Sequence, residues 1–152
     1  MTNETLISLI KMVDLKPENL QSDGTTYYAE FDANDGGAPY RLLVLTDGNG
    51  NRVGGFLYMT RTEAHIVIIP EFRGNGYMSR FARSGISRKV FPDCKKVSII
   101  TDFENSPDEI STRIHLAMLN GYEITNRKEL LSYLDFSDIS YRDEDYLRNS
   151  IN

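Results

Sequence analysis

Four β-prone runs in close succession constrain this chain most: Thr25 to Phe31, Tyr40 to Thr46, Arg52 to Thr60 and Glu63 to Ile69. Their connectors are rich in turn formers. Asp35-Gly36-Gly37 follows the first run, Asp47-Gly48-Asn49-Gly50-Asn51 the second, and the tight link Arg61-Thr62 the third. Short connectors of this kind join antiparallel neighbours, so the pattern predicts an antiparallel meander. Asp47, Asn49 and Asn51 have the spacing of the start of a calcium loop. However, the sixth place, which needs glycine, is Arg52, and the twelfth, which needs a bidentate acid, is Tyr58. A hairpin turn is the better reading.

Around the meander the period changes to that of helices. Leu6, Ile7, Ile10 and Val13 recur at helical spacing ahead of Pro17, which predicts a helix over roughly residues 3–14. After Gly76, Met78, Phe81, Ala82 and Ile86 share one helical face and Arg80, Arg83, Ser84 and Ser87 the other, as far as Phe91-Pro92. Lys96 to Thr101 reads as a short strand. Ser106-Pro107-Asp108-Glu109 supplies an N-cap, a first-turn proline and a capping-box acid for a helix bearing Ile110, Ile114, Ala117 and Met118, which stops at Asn120-Gly121. Tyr122 to Thr125 and Leu130 to Phe136 are the last predicted strands, and the acidic tail, residues 137–152, has room for a short helix. The expected fold class is α/β in the α+β sense, with a mixed, mostly antiparallel central sheet flanked by helices. One domain is expected over residues 1–152, since 152 residues with 40% hydrophobic side chains suit a single core.

Several function classes drop out. The longest aliphatic run, Ile66 to Ile69, is far short of the roughly 20 residues that span a bilayer. The N-terminus has neither a basic start nor a continuous apolar stretch, so a cytoplasmic protein without a membrane partner is expected. One cysteine, Cys94, and two distant histidines make neither a disulfide nor a zinc set, and no metal is expected. A net charge of −5 argues against nucleic acid as a partner.

The distribution of charge says more than its total. Between Glu71 and Lys96, seven basic residues stand against Glu71 and Asp93, a local +5 that leaves −10 for the remainder. A solvated helix face would explain this, and so would a seat for a polyanionic small molecule. The neighbouring residues favour the second. Ile66 to Pro70 is a buried strand, and Glu71-Phe72-Arg73-Gly74-Asn75-Gly76-Tyr77-Met78 carries it through a glycine-containing loop into the basic helix. Glycines let backbone approach a ligand, the first N–H groups of a helix favour an anion, and Arg73 adds a full charge beside them. A nucleotide P-loop would need Gly-Lys-Ser/Thr where Gly76-Tyr77-Met78 stands. A dinucleotide fingerprint would need a glycine or alanine where Ser79 stands and a parallel unit where the meander stands.

These residues resemble the GCN5-related N-acetyltransferase superfamily, whose acetyl-CoA loop reads Q/R-x-x-G-x-G/A after a strand ending in V-x-P. Arg73-Gly74-Asn75-Gly76-Tyr77-Met78 occupies the loop pattern and Ile68-Ile69-Pro70 the strand ending. Val53-Gly54-Gly55-Phe56 is similar to the family's V-G-x strand, and Leu119-Asn120-Gly121-Tyr122 to its L-x-G-F/Y helix ending. The resemblance implies binding of acetyl-CoA as acyl-donor cosubstrate by Arg73, Gly74, Asn75, Gly76, Tyr77 and Met78, with backbone N–H groups of Ile68 and Ile69 toward the pantetheine arm or thioester. It implies direct acetyl transfer to a primary amine of a small molecule or peptide, without an acyl-enzyme, and is compatible with a homodimer. The chain departs from the family in four places: Met78 replaces a small residue, Ala117 stands where a tyrosine general acid is usual, the stretch from Asn105 to Gly121 is long, and the chain opens with a helix.

An attacking amine needs a proton acceptor. Glu63 and His65 precede the apolar part of the strand that would face the thioester, and alternation places them on one face. Either can be the catalytic base. The same residues also read as a solvent-facing charge beside a turn and a hydrogen-bonded strand histidine. Cys94 reads as an ordinary loop thiol. Two alternatives to an enzyme stand beside the acetyltransferase: a degenerate acyl-CoA-binding sensor or interaction module, motivated by Ala117, and a protein-interaction domain whose basic helix face is merely solvated.

Overall fold

The computed structural model describes residues 3–35, 38–60, 63–99, 107–133 and 148, excluding the side chains of residues 33–39, 59–63, 107–109, 111–112 and 133. After an N-terminal helix α1 (Asn3–Met12), a short strand β1 (Gln21–Ser22) leads into the meander β2 (Tyr27–Asp35), β3 (Ala38–Thr46), β4 (Arg52–Thr60) and β5 (Glu63–Ile68). All five strands form one antiparallel sheet in chain order. The turn between β3 and β4 is closed by Asp47, whose carboxylate accepts from the backbone N–H of Asn49 and Asn51 and from the Asn51 amide. These bonds hold the Asp47 carboxyl below its usual range.

The strands alternate between two cores. Leu42, Val44, Leu57, Val67 and Ile69 face α1, which buries Leu6 and Ile10 completely against them. Each such side chain contributes about 1.5–3 kcal/mol. Gly55 is needed here, because a Cβ would come within 2.7 Å of the Ile10 Cδ1. On the other face Leu43, Leu45, Phe56, Ala64 and Ile68 meet the second helical layer: α2 (Tyr77–Ser84), α3 (Ile86–Val90) and α4 (Pro107–Leu119), through Phe81, Ile86, Ile110 and Ile114.

Three expectations need correction. The basic helix is two helices, broken at Gly85, which adopts φ 70° in the left-handed region. Among the described residues the central sheet is not continuous with the later strands: β6 (Lys96–Val97) and β7 (Glu123–Ile124) pair in parallel as a separate two-stranded sheet. Of the strand predicted from Leu130 to Phe136, the described part is instead helix, within α5 (Arg127–Tyr133), and residues 134–136 lie outside the described residues. Asn126 precedes it and Glu129 follows three residues later, an N-terminal helix signature that outweighs the short apolar run. The expected end of β6 at Thr101, the N-cap Ser106 and the tail from Ser137 apart from Arg148 lie outside the described residues.

Helix α4 ends as its sequence requires. Gly121 takes φ 72°, its N–H donates to Met118 and the Tyr122 N–H donates to Ala117, the paired bonds of a glycine C-cap. The polypeptide then turns directly into β7. No helix among the described residues is long and apolar enough to cross a membrane.

Candidate functional site

The site is built where β5 leaves the sheet. Hydrogen bonding fixes which way each β5 peptide points. The Ile69 N–H donates to Val53 at 2.8 Å, so by the alternation of an antiparallel ladder Ala64, Ile66 and Ile68 turn their backbone groups away from β4. Ala64 uses its carbonyl to accept from Ser98 at 3.2 Å, which brings the β6 segment alongside. Beyond that point β6 departs from β5. Asn126 draws it off: the side-chain amide donates to the Ile99 carbonyl at 2.7 Å, its oxygen accepts from the Ile99 N–H at 3.1 Å, and Thr125 donates to Val97. The C-terminal half of β5 therefore forms an edge that no other described strand pairs.

A 3₁₀ turn at Pro70–Phe72 redirects the chain, and Arg73 folds back so that its Nε–H donates to the Ile68 carbonyl at 3.0 Å. Gly74 and Gly76 follow with φ 81° and 78°. These left-handed conformations strain any residue with a Cβ. Gly76 is the N-cap of α2, and no side chain caps the helix. The first N–H groups of a helix have no acceptor within it, so those of Tyr77, Met78 and Ser79 are the donors this end offers. The first intrahelical bond runs from Arg80 to Gly76.

The resulting cavity, about 220 Å³, is lined by Ile68, by Phe72, Arg73, Gly74 and Gly76, by the first turn of α2 and by Arg113 of α4. None of the described residues lining it is acidic. The Arg80 guanidinium lies 4.8 Å from the centre of the Tyr77 ring, adding positive charge beside the helix start. A narrower apolar cleft of about 40 Å³ continues between β5 and β6, with Ala64, Ile66, Ile99 and Ala117 among its walls, and Arg113 borders it too. Tyr122 lines this cleft with its hydroxyl donated to Ser87 at 2.8 Å, and burial pushes its phenol above the usual range.

Of the residues singled out in the sequence, Ile68, Arg73, Gly74, Gly76, Tyr77 and Met78 are brought together on this cavity. Three are placed differently. Ile69 spends its N–H on Val53 and buries its side chain toward α1, so it offers no N–H to a ligand. Asn75 does not line the cavity; its amide holds the loop by donating to Phe72 and more weakly to Arg73. His65 is 7% exposed and stands in the strand alternation with Val67 and Ile69 on the α1 face, opposite the cavity. Glu63 opens β5 opposite Thr60, with its side chain outside the described part. Cys94 is buried, and its thiol is pushed up to about 11 chiefly by burial, which suits an inert core thiol.

Two residues of the site were not singled out from the sequence. Arg113 falls in the inward stripe of α4 between Ile110 and Ala117, where a charge in an apolar period was the available signal. Asn126 had the N-cap signature before α5 as its signal. No group of three or more His, Cys, Asp or Glu able to hold a metal occurs among the described residues. Comparisons with models of protein families, with curated proteins and with solved structures returned no match for this chain.

Proposed function

We propose that the chain is an N-acetyltransferase that transfers the acetyl group of acetyl-CoA to a primary amine of a small molecule or peptide. One observation carries the reading: a strand with an edge that no other described strand pairs runs into a two-glycine loop and an uncapped helix start, and together they wall a basic cavity of about 220 Å³. The diphosphate suits the helix N–H groups and Arg73. The outward N–H groups of Ile68 and Ile66 suit the amide carbonyls of an extended pantetheine arm, much as a strand partner would. Acetyl-CoA supplies the activated thioester, and CoA is its thiol leaving group.

In this reading the amine nitrogen bonds to the acetyl carbon as the carbon–sulfur bond breaks, the amine loses a proton, and the thiolate leaves without a strong acid. A thiol pKa near ~8.5, by analogy with cysteine, makes that departure feasible with Ala117 in place of an acid. Glu63 is the proton acceptor, directly or through water; the burial of His65, at 7% exposure, weighs against the histidine.

Ala117 favours one second reading, an acyl-CoA-binding sensor or interaction module that has lost its chemistry. Titration with acetyl-CoA followed by a screen of amines separates the two. Saturable binding with amine-dependent release of free thiol and an acetylated product of the right mass supports the enzyme. Binding without thiol release supports the sensor, and absence of binding refutes both.

A further inference from the structure

Beside the loop cavity, and sharing Tyr77 with it, lies a second cavity of about 350 Å³. Its other described walls are residues 25–27 at the start of β2, Leu45, Thr46 and Asp47 at the end of β3, and Arg80 of α2. Leu45 and Ile68 both face the helical layer, so the two cavities lie on one face of the sheet. Strand β3 is two strands from β5, about 10 Å across the sheet. The second cavity therefore leads away from the open edge of β5.

Its walls carry a distinctive mixture of groups. Tyr27, 37% exposed, and the half-buried Tyr77 offer two aromatic surfaces. The exposed Arg80 guanidinium, over the Tyr77 ring, makes no ion pair among the described residues. Thr26 is 7% exposed, and its hydroxyl is out of water with no hydrogen-bond partner among the described residues. A buried hydroxyl without a bond is costly, and a ligand that reaches it recovers that cost. Asp47 is the acid of the set; its oxygens hold the turn amides and keep lone pairs for a further donor. Aromatic faces suit a base, the arginine a phosphate, the hydroxyl a sugar and the carboxylate an amino group, which together describe a phosphorylated nucleoside.

We propose that this cavity binds the adenosine end of CoA, with the base against the rings of Tyr27 and Tyr77 and the ribose phosphate on Arg80. The proposal rests on the acyl-CoA reading for the identity of the ligand. The order of groups in the ligand matches the order of sites across the sheet. Adenosine, diphosphate and pantetheine meet in turn the second cavity, the start of α2 and the edge of β5. The acceptor amine is a poorer occupant. Glu63 opens β5 five residues before Ile68, about 17 Å along the strand, so the chemistry lies at the far end of β5, and Arg80 repels a cation.

Calorimetric titration of the wild type, Arg80→Met and Tyr27→Ala with CoA, dephospho-CoA, phosphopantetheine and adenosine bisphosphate tests this. The wild type should bind CoA about fivefold tighter than dephospho-CoA, which lacks only the ribose phosphate, and both tighter than phosphopantetheine. Arg80→Met should bring CoA down to the affinity of dephospho-CoA and leave dephospho-CoA and phosphopantetheine unchanged. Tyr27→Ala should weaken CoA, dephospho-CoA and adenosine bisphosphate by about fivefold or more and spare phosphopantetheine. Equal wild-type affinities for CoA and dephospho-CoA overturn the proposal and leave the acyl-CoA reading standing. So does either variant, folded by circular dichroism, that binds every probe as the wild type does or loses phosphopantetheine equally. Should Tyr27→Ala fail to fold, Arg80→Met decides, since its side chain is exposed. Wild-type binding of adenosine bisphosphate without CoA refutes the acyl-CoA reading and leaves the cavity to be judged on the bisphosphate. Wild-type binding of neither overturns both.

Discussion

The Nε–H of Arg73 donates to the carbonyl of Ile68 at 3.0 Å, so the side chain that brings positive charge to the loop is anchored on the strand that delivers the chain to it. This contact uses one edge of the guanidinium and fixes its plane. Replacing Arg73 with methionine removes both the anchor and the charge, and CoA affinity should fall by about 1.5–3 kcal/mol, or roughly 10- to 150-fold. Arg73→Lys keeps the charge without the anchoring Nε–H, so isothermal titration should find it weakened less than the methionine variant but short of wild type.

Gly76 tests the loop conformation. At φ 78° a valine is strained by about 1–2 kcal/mol, and its Cβ would lie 3.3 Å from Arg80 Nη1. Gly76→Val should lose about tenfold or more in CoA affinity while remaining folded. Gly85→Val is the matched control: it also sits at positive φ, with no neighbour within 4 Å of the new Cβ, but away from the cavity. Equal affinities for the two variants would separate the loop glycine from ligand binding.

Much of this arrangement is legible in the sequence, for a physical reason: the meander and the loop are specified by local chemistry. Period-two runs and turn residues define β2 to β5, and Arg52 to Thr60 is found with the predicted bounds. What local chemistry leaves open is long-range choice. Gly85 was compatible with continuing one amphipathic helix, and only the backbone shows that it adopts the left-handed conformation and splits the helix. The Ile68 and Ile69 N–H groups look equivalent in sequence, yet which one faces the open edge depends on the register with Val53 and Gly54. Arg113 could not be assigned because its neighbours come from a distant loop.

Asn126 controls the separation of β6 from β5 by taking both backbone groups of Ile99. Alanine there leaves two partly buried backbone groups to find other partners, at about 1 kcal/mol each. Asn126→Ala should therefore lose about 2 kcal/mol in urea unfolding and also weaken binding of the pantetheine portion of CoA. A stability loss with unchanged pantetheine binding would show that the β6 departure is only structural.

Cys94 gives a pH dependence of known sign. Burial pushes its thiol from 9.0 up to about 11, so the folded state favours the protonated form. The unfolded chain binds fewer protons between those values, and the resulting stability is intact below about pH 9 and lost as pH rises through the folded pKa near 11. Melting temperature should fall more steeply over that window in the wild type than in Cys94→Ala. Parallel curves would place the thiol in contact with water.

The proton acceptor is the sharpest test of chemistry as distinct from binding. Amines are largely protonated near neutral pH, and a carboxylate at the start of β5 would help most where free amine is scarce. Glu63→Gln keeps the size and hydrogen-bonding capacity of the side chain and removes its basicity. Turnover should drop while acetyl-CoA affinity stays near normal, and the deficit should shrink as pH rises toward the pKa of the acceptor amine. His65→Gln serves as the comparison, since His65 is buried and should change stability rather than the pH profile. If Glu63→Gln matches the wild type throughout that range, Glu63 is not the base; a pH-dependent loss in His65→Gln would then assign the role to the histidine, and its absence would leave the proton to bulk water.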